Sequence, residues 1–153
     1  MTKPRILIDA DACPRQALHI AQSLGEELDW PCFTFASYDH QLSGPNHIVV
    51  DTGSQAVDLR LANEAQAGDI VVTQDIGLAA LILGKRAFAL TPQGRVFDPD
   101  QIAFSLEERN EKARFRRGGG RTRGPAPRTA RDDQEFQAAL RALMRGGGEH
   151  DSG

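Results

Sequence analysis

The chain has 153 residues, a length that is enough for one domain with a sizeable core. Its composition, 40% hydrophobic and 25% charged, is that of a globular protein. Its two cysteines, Cys13 and Cys32, are too few for a disulfide framework and lack the CxxC spacing of a zinc site. No apolar run approaches the roughly 20 residues that cross a bilayer, and no stretch is organised like a signal peptide. We therefore expect a cytoplasmic protein with reduced thiols and no membrane association.

The net charge of −3 conceals a strong asymmetry along the chain. Residues 1–108 carry 7 Lys/Arg against 15 Asp/Glu, whereas residues 109–131 carry 9 Lys/Arg against a single Glu. Half of the 18 basic residues therefore lie in one short segment. Such a segment favours contact with an acidic partner such as a nucleic acid, although a solvated linker has the same composition.

The N-terminal region predicts a strand that runs into acids. Residues 6–8 form a branched apolar run, Asp9 and Asp11 follow it, and Pro14 suits the first turn of a helix. Apolar residues at helical spacing then predict a helix from about residue 17 to 28, which Gly25 is expected to end or loosen. The two aspartates therefore lie at a strand-to-helix corner.

Strands and helices alternate in the remainder of the chain. Further strands are predicted at 32–36, 47–50, 70–73, 87–90 and 95–97. Helices are predicted at 55–67, at 78–83 (apolar all round and so expected to be buried), from residue 100 onward, and at the C-terminus. This alternation indicates an α/β fold, a three-layer α/β/α sandwich with a mainly parallel sheet of about five strands. We expect one α/β domain over 1–117, an Arg/Gly/Pro-rich linker or loop over 118–131, a helix docking on that domain over 132–146, and a disordered tail over 147–153.

Several predicted strands end at an aspartate. Asp9 follows the first strand, Asp51 the third and Asp75 the fourth, while Asp11 is close to Asp9 and Asp58 lies one turn into a helix. Parallel strands end at one edge of a sheet, where open α/β sheets bind ligands, so these acids should converge. Clustered carboxylates need a counter-ion, and carboxylate oxygens suit Mg²⁺ or Mn²⁺. Each aspartate taken singly is equally well explained as a helix cap.

A metal held there would favour phosphoryl chemistry, and nearby side chains are candidates to contact a phosphate. Arg15 lies in the first turn after the acidic corner, and Thr73 and Gln74 come just before Asp75. The basic segment supplies four more candidates, Arg116, Arg117, Arg121 and Arg123. Cys13 could serve as a nucleophile at a helix start, but an arginine six positions on, as in cysteine phosphatases, is lacking. Nucleic acid, with single-stranded RNA favoured, is the expected partner.

Three stretches of the sequence resemble a known family. The sequence IDADACP from residue 8, the sequence GDIVVTQD from residue 68 and the later RGP from residue 123 resemble the YaiI/YqxD family of uncharacterised bacterial proteins, which is placed in the PIN-like superfamily. The resemblance implies a PIN-like fold and a Mg²⁺- or Mn²⁺-dependent nuclease centre. It assigns Asp9, Asp58 and Asp75 to the three PIN-like acids and makes Asp11 an additional acid of this family. Asp69 begins a strand, should lie at the opposite edge, and is left out.

Three functions remain open from the sequence. The leading hypothesis is a metal-dependent nuclease that uses Asp9, Asp11, Asp58 and Asp75. An alternative is a haloacid-dehalogenase-like phosphatase with Asp9 as nucleophile and Asp11 as acid/base, although the downstream lysine and acidic pair of that class are poorly placed here. A non-catalytic nucleic-acid-binding module is the third.

Overall fold

Five strands alternate with helices along the part of the chain that the computed structural model describes, residues 3–37, 46–50, 54–100, 102 and 127–150. The strands are β1 (Ile6–Asp9), β2 (Cys32–Ala36), β3 (His47–Val49), β4 (Ile70–Val72) and β5 (Phe88–Leu90). The helices are α1 (Arg15–Leu28), α2 (Ser54–Glu64), α3 (Ile76–Gly84) and α4 (Ala130–His150), and one 3₁₀ turn, Ala10–Ala12, links β1 to α1. None of these described helices is long and apolar enough to cross a membrane.

All five strands are parallel and lie in the order β3-β2-β1-β4-β5. The central strand β1 pairs with β2, where Asp9 lies opposite Phe35, and with β4, where Ile8 lies opposite Val72. From β1 the chain passes through α1 to one side of the sheet, and it returns through α2 to reach β4 on the other side. The point at which the strand order reverses therefore lies between the carboxyl ends of β1 and β4.

Helices cover both faces of the sheet. Successive side chains of each strand point to opposite faces, and both faces carry apolar side chains that must be buried. Ile6 and Ile8 of β1 pack in a core with α1 and α4. Leu7, between them, packs in a second core with α2 and α3. The predicted three-layer α/β/α architecture with a five-stranded parallel sheet is confirmed.

The C-terminal helix α4 packs against the α1 face of the sheet. Its Phe136, Leu140 and Met144 are buried in the core that contains Ile6 and Ile8. Gly94, in the turn after β5, has a φ of +92°, and a Cβ there would lie 2.6 Å from the Glu135 backbone. This helix begins two residues inside the predicted linker and continues into the predicted tail.

The prediction that Gly25 ends or loosens α1 is wrong. The helix continues to Leu28 and ends at Asp29, which takes up the left-handed conformation with a φ of +59°. Gly25 is needed for packing instead, since a Cβ at this position would lie 2.7 Å from the carbonyl oxygen of Trp30. The chain therefore turns tightly over the glycine at the end of the helix.

Two further predictions need correction. α3 is not buried all round: its Leu78, Ala79 and Ile82 face the core, whereas Leu81 is 57% exposed. The predicted strand at 95–97 is reduced to an isolated antiparallel bridge between Val96 and Leu90. The predicted helix beyond residue 102, the linker over 118–126, Asp51 and the four arginines Arg116, Arg117, Arg121 and Arg123 lie outside the described residues.

Candidate acidic site

Asp9 is the residue on which the site is centred. It ends the central strand β1 and is only 6% exposed. Alternation along β1 places it on the same face as Leu7, toward α2 and α3. The buried hydroxyl of Thr73, at the end of β4, donates a hydrogen bond of 3.1 Å to Asp9 Oδ2. The carboxylate is thus held at the point where the strand order reverses.

Asp75 is tied to the same hydroxyl. Its backbone N–H donates to Thr73 Oγ1 at 3.1 Å, while its carboxylate accepts from the Leu78 N–H at 3.2 Å and caps the N-terminus of α3. The capping alternative is therefore correct for this aspartate. It does not remove Asp75 from the site, because the cap fixes the carboxylate beside Asp9, whose pKa it raises.

Asp58 reaches the same place from α2. Its carboxyl group lies near that of Asp75, which raises the pKa of Asp58 both as a hydrogen-bonding partner and through its charge. Burial, this hydrogen bond and the charges of Asp75, Asp9 and Asp11 raise the pKa of Asp58 from 3.8 to about 7. Residues from a strand, a helix cap and a second helix therefore converge.

The same repulsion acts on Asp9. Burial raises its pKa most, the hydrogen bond from Thr73 lowers it, and the charges of Asp11 and Asp75 raise it, so that it moves from 3.8 to about 6. Two carboxyl groups with strongly raised pKa values at the reversal point of a parallel sheet are typical of functional sites. The arrangement favours binding of a cation, since a positive charge would relieve the repulsion.

Asp11 is near the site but is engaged differently. It is exposed in the 3₁₀ turn, and its two carboxylate oxygens accept from the Ser37 N–H at 2.9 and 3.1 Å. This contact joins the end of β1 to the end of β2, and the sequence offered no signal for it. The charge of Asp11 still raises the pKa values of Asp9 and Asp58.

The donor set fits a hard divalent cation better than zinc, because it consists of carboxylates without His or Cys. As the side chains stand, no three His, Cys, Asp or Glu among the described residues are close enough together to hold a metal ion. The contact of Asp11 with the Ser37 N–H and the cap that Asp75 forms with the Leu78 N–H both direct carboxylate oxygens to other partners.

The remaining predicted residues divide between this edge and the rest of the fold. Arg15 is exposed in the first turn of α1 and Gln74 is exposed after β4. Asp69 lies at the opposite edge, as predicted, where it is 2% exposed and pairs with Arg5 at 2.9 Å. Cys13 is partly buried, and burial raises the pKa of its thiol to about 12, which argues against a nucleophile.

One arginine of the basic segment has a structural role that the sequence did not indicate. Arg128 donates to Asp133 Oδ1 and to the Pro92 carbonyl oxygen, both at 2.7 Å. It thereby fastens the start of α4 to the loop that follows β5. A basic residue in this segment is therefore not automatically available to a nucleic acid.

The fold and the site define an α/β protein with an aspartate cluster at the reversal point of a parallel sheet. A family model described as "Uncharacterized BCR, YaiI/YqxD family" matches residues 7–146, and the chain belongs to this family. A UPF0178 protein of Heliobacterium modesticaldum is 48% identical over 141 residues, which cover 92% of this chain and 97% of the relative. UPF0178 proteins of Exiguobacterium sibiricum and Clostridium tetani are 41% and 40% identical, each over 92% of this chain and 96% of the relative. No solved structure matches the chain.

Proposed function

We propose that this protein is a cytoplasmic, metal-dependent phosphodiesterase that cleaves nucleic acid, with single-stranded RNA as the favoured substrate. Asp9, Asp58 and Asp75 would hold Mg²⁺ or Mn²⁺, with Asp11 as an additional acid. The observation that carries the proposal is the convergence of these acids, which raises the pKa values of Asp9 and Asp58 to about 6 and about 7. A divalent cation bound there would favour the ionised form of both carboxyl groups and would displace any proton that they hold.

Other residues of the chain would hold the acids in place and contact the phosphate. Thr73 fixes Asp9 and Asp75 in one geometry through its hydroxyl, and α3 holds Asp75 from the other side. A divalent cation, when bound, supplies charge stabilisation on phosphate oxygens and activates water for in-line attack. Arg15 and Gln74 are exposed at the same edge, where each could donate to a phosphate.

The charge distribution supports a polyanionic substrate. The segment 109–131 carries 9 basic residues against one acid, whereas the part of the chain that precedes it has an excess of acids. Lysine and arginine attract the phosphate backbone regardless of sequence, so the segment would supply affinity while the acids supply the chemistry. Arg116, Arg117, Arg121 and Arg123 are its proposed phosphate contacts.

The phosphatase alternative receives less support from the geometry. It requires Asp9 as nucleophile and Asp11 as acid/base over one pocket. Asp9 is buried under the Thr73 hydroxyl, and Asp11 is engaged by the Ser37 N–H. Trapping of an aspartyl-phosphate mimic at Asp9 would distinguish this alternative from the nuclease, which forms no covalent intermediate there.

The test is cleavage of single-stranded RNA in Mn²⁺ by purified wild type and by Asp9→Asn and Asp75→Asn variants. Asparagine keeps the size, and it is also a good helix cap at position 75, so both variants should fold. Asp98→Asn is a matched control. Asp98 is an exposed aspartate that accepts a hydrogen bond from the Asp100 N–H, and its charge is not among the causes that raise the pKa of Asp9 or Asp58.

We expect activity in wild type and Asp98→Asn and a loss of at least about 100-fold in the two site variants, the order of effect seen when a group stabilising the transition state is removed. Equal cleavage by all four proteins would identify a contaminating nuclease. Absence of cleavage of RNA and DNA in wild type with either metal would refute the proposed activity.

A further inference from the structure

A cleft of about 520 Å³ lies on the opposite face of the sheet from the acidic site. It is bounded by the last turns of α1, by residues 29–31 and by the first residues of β2 and β3. Cys32 at its base pairs with Ile6, three residues before Asp9, which is about 10 Å along the strand. The cleft is therefore separate from the acid cluster and is not explained by the proposed function.

The charges that line the cleft have one sign. Glu26 and Asp29 are both at its wall, and no lysine or arginine of the described residues lines it. Asp29 is paired with Lys3 at 2.5 Å, whereas Glu26 forms no ion pair within the described part of the chain. An unpaired carboxylate beside a cleft attracts cations and repels phosphates.

The aromatic wall is Trp30, the single tryptophan of the chain. Its ring is half-buried against the α1 core, and its backbone N–H donates to the Gly25 carbonyl oxygen at 2.8 Å, which fixes the residue where α1 ends. On the inner side, the Thr34 hydroxyl and His47 Nδ1 share a hydrogen bond of 2.6 Å. The cleft thus combines an aromatic residue, whose backbone is fixed, with a carboxylate that forms no ion pair among the described residues.

We propose that this cleft binds a small organic cation, an alkylammonium, between the Trp30 indole and the Glu26 carboxylate. Tryptophan is the aromatic side chain that attracts ammonium groups most strongly, and a carboxylate within the same cleft adds Coulomb attraction. The absence of lysine and arginine from the described lining disfavours a phosphorylated ligand. The site lies on the side of the protein that the acid cluster does not use.

The test uses the fluorescence of Trp30, which reports on this cleft because the chain has no other tryptophan. The full chain, in EDTA, is titrated with choline and with putrescine at constant ionic strength, and with uridine and AMP for comparison. The test variant is Glu26→Gln. Glu27→Gln is the matched control, since Glu27 is the next residue of α1 but pairs with Arg141 and does not line the cleft.

We expect a saturable change in emission with at least one of the two amines. The apparent Kd should rise at least about tenfold in Glu26→Gln, as for loss of one charge-assisted contact, and stay unchanged in Glu27→Gln and in Asp9→Asn. The Asp9→Asn result separates this site from the acidic site, whatever the outcome for cleavage. No saturable response to either amine, an equal Kd in Glu26→Gln, or a response to uridine or AMP as strong as to the amines would overturn the proposal.

Discussion

Replacing Asp9 by asparagine should stabilise the metal-free protein, although it removes a residue at the centre of the site. Asp9 is 6% exposed, and its pKa is raised from 3.8 to about 6. At 1.36 kcal/mol for each pKa unit, keeping this carboxylate ionised in the folded state costs about 3 kcal/mol. Asparagine carries no charge, can still accept from Thr73, and can donate to a neighbouring carboxylate.

The effect should depend on pH in a defined direction. The folded-state pKa of Asp9 is raised above its unfolded value, so the stability associated with its protonated form is fully present below about pH 4 and is lost as the pH rises through about 6. Wild type should therefore lose up to about 3 kcal/mol between pH 4 and pH 8 that Asp9→Asn does not lose. For a chain of this size, that difference corresponds to about 6–12 °C in Tm.

Thermal and urea denaturation of both proteins in EDTA at pH 4, 6 and 8 would measure this difference. Saturating Mg²⁺ or Mn²⁺ should then raise the Tm of wild type at pH 8 by several degrees and leave that of Asp9→Asn almost unchanged, because the ligand stabilises only the state that binds it. If Asp9→Asn is less stable than wild type in EDTA at pH 8, or if the difference is the same at every pH, the electrostatic account of the site is wrong.

Two further substitutions test the positioning and structural roles of other buried polar residues. Thr73→Val should destabilise the protein by about 2 kcal/mol in urea denaturation and raise the pKa of Asp9 further. The reason is that Asp9 loses a hydrogen-bond donor and the Asp75 N–H loses its acceptor. Thr73→Ser should retain both contacts. Asp69→Asn should destabilise by about 3 kcal/mol, opposite in sign to Asp9→Asn, because it leaves Arg5 without its buried counter-charge. A stabilising effect of Asp69→Asn would contradict the contrast between the two edges.

The burial of the central strand on both faces was accessible from the sequence because it follows from the pattern of apolar residues. The run of residues 6–8 is apolar without alternation, which predicts a strand covered on both faces, and β1 is in fact central. The error at Gly25 has a different origin. The glycine is required by the close approach of the Trp30 carbonyl group, a contact outside the helix that local propensity does not contain.

The acidic site was predictable from the sequence only in part. That Asp9 and Asp75 would meet follows from parallel strands ending at one edge, and the structure brings them close enough to raise the pKa of Asp9. The contact of Asp11 with Ser37 depends instead on the exact path of the 3₁₀ turn beside β2. The sequence also gave no indication of the cleft at Trp30, which arises where α1 ends over the beginning of β2 and β3.

Two buried aspartates at opposite edges of the sheet differ in how the fold accommodates their charge. Asp69 is 2% exposed and Asp9 is 6% exposed, so both pay a similar desolvation cost. The fold provides Asp69 with Arg5 at 2.9 Å and with two backbone donors, from Arg5 and Gln66. Among the described residues, the Asp9 carboxylate accepts one hydrogen bond, from the Thr73 hydroxyl, and the charges that act on its pKa are those of other carboxylates. The fold neutralises one buried carboxylate with an arginine at one edge and leaves carboxylates clustered at the edge where α/β sheets bind ligands. This contrast supports the proposed cation site.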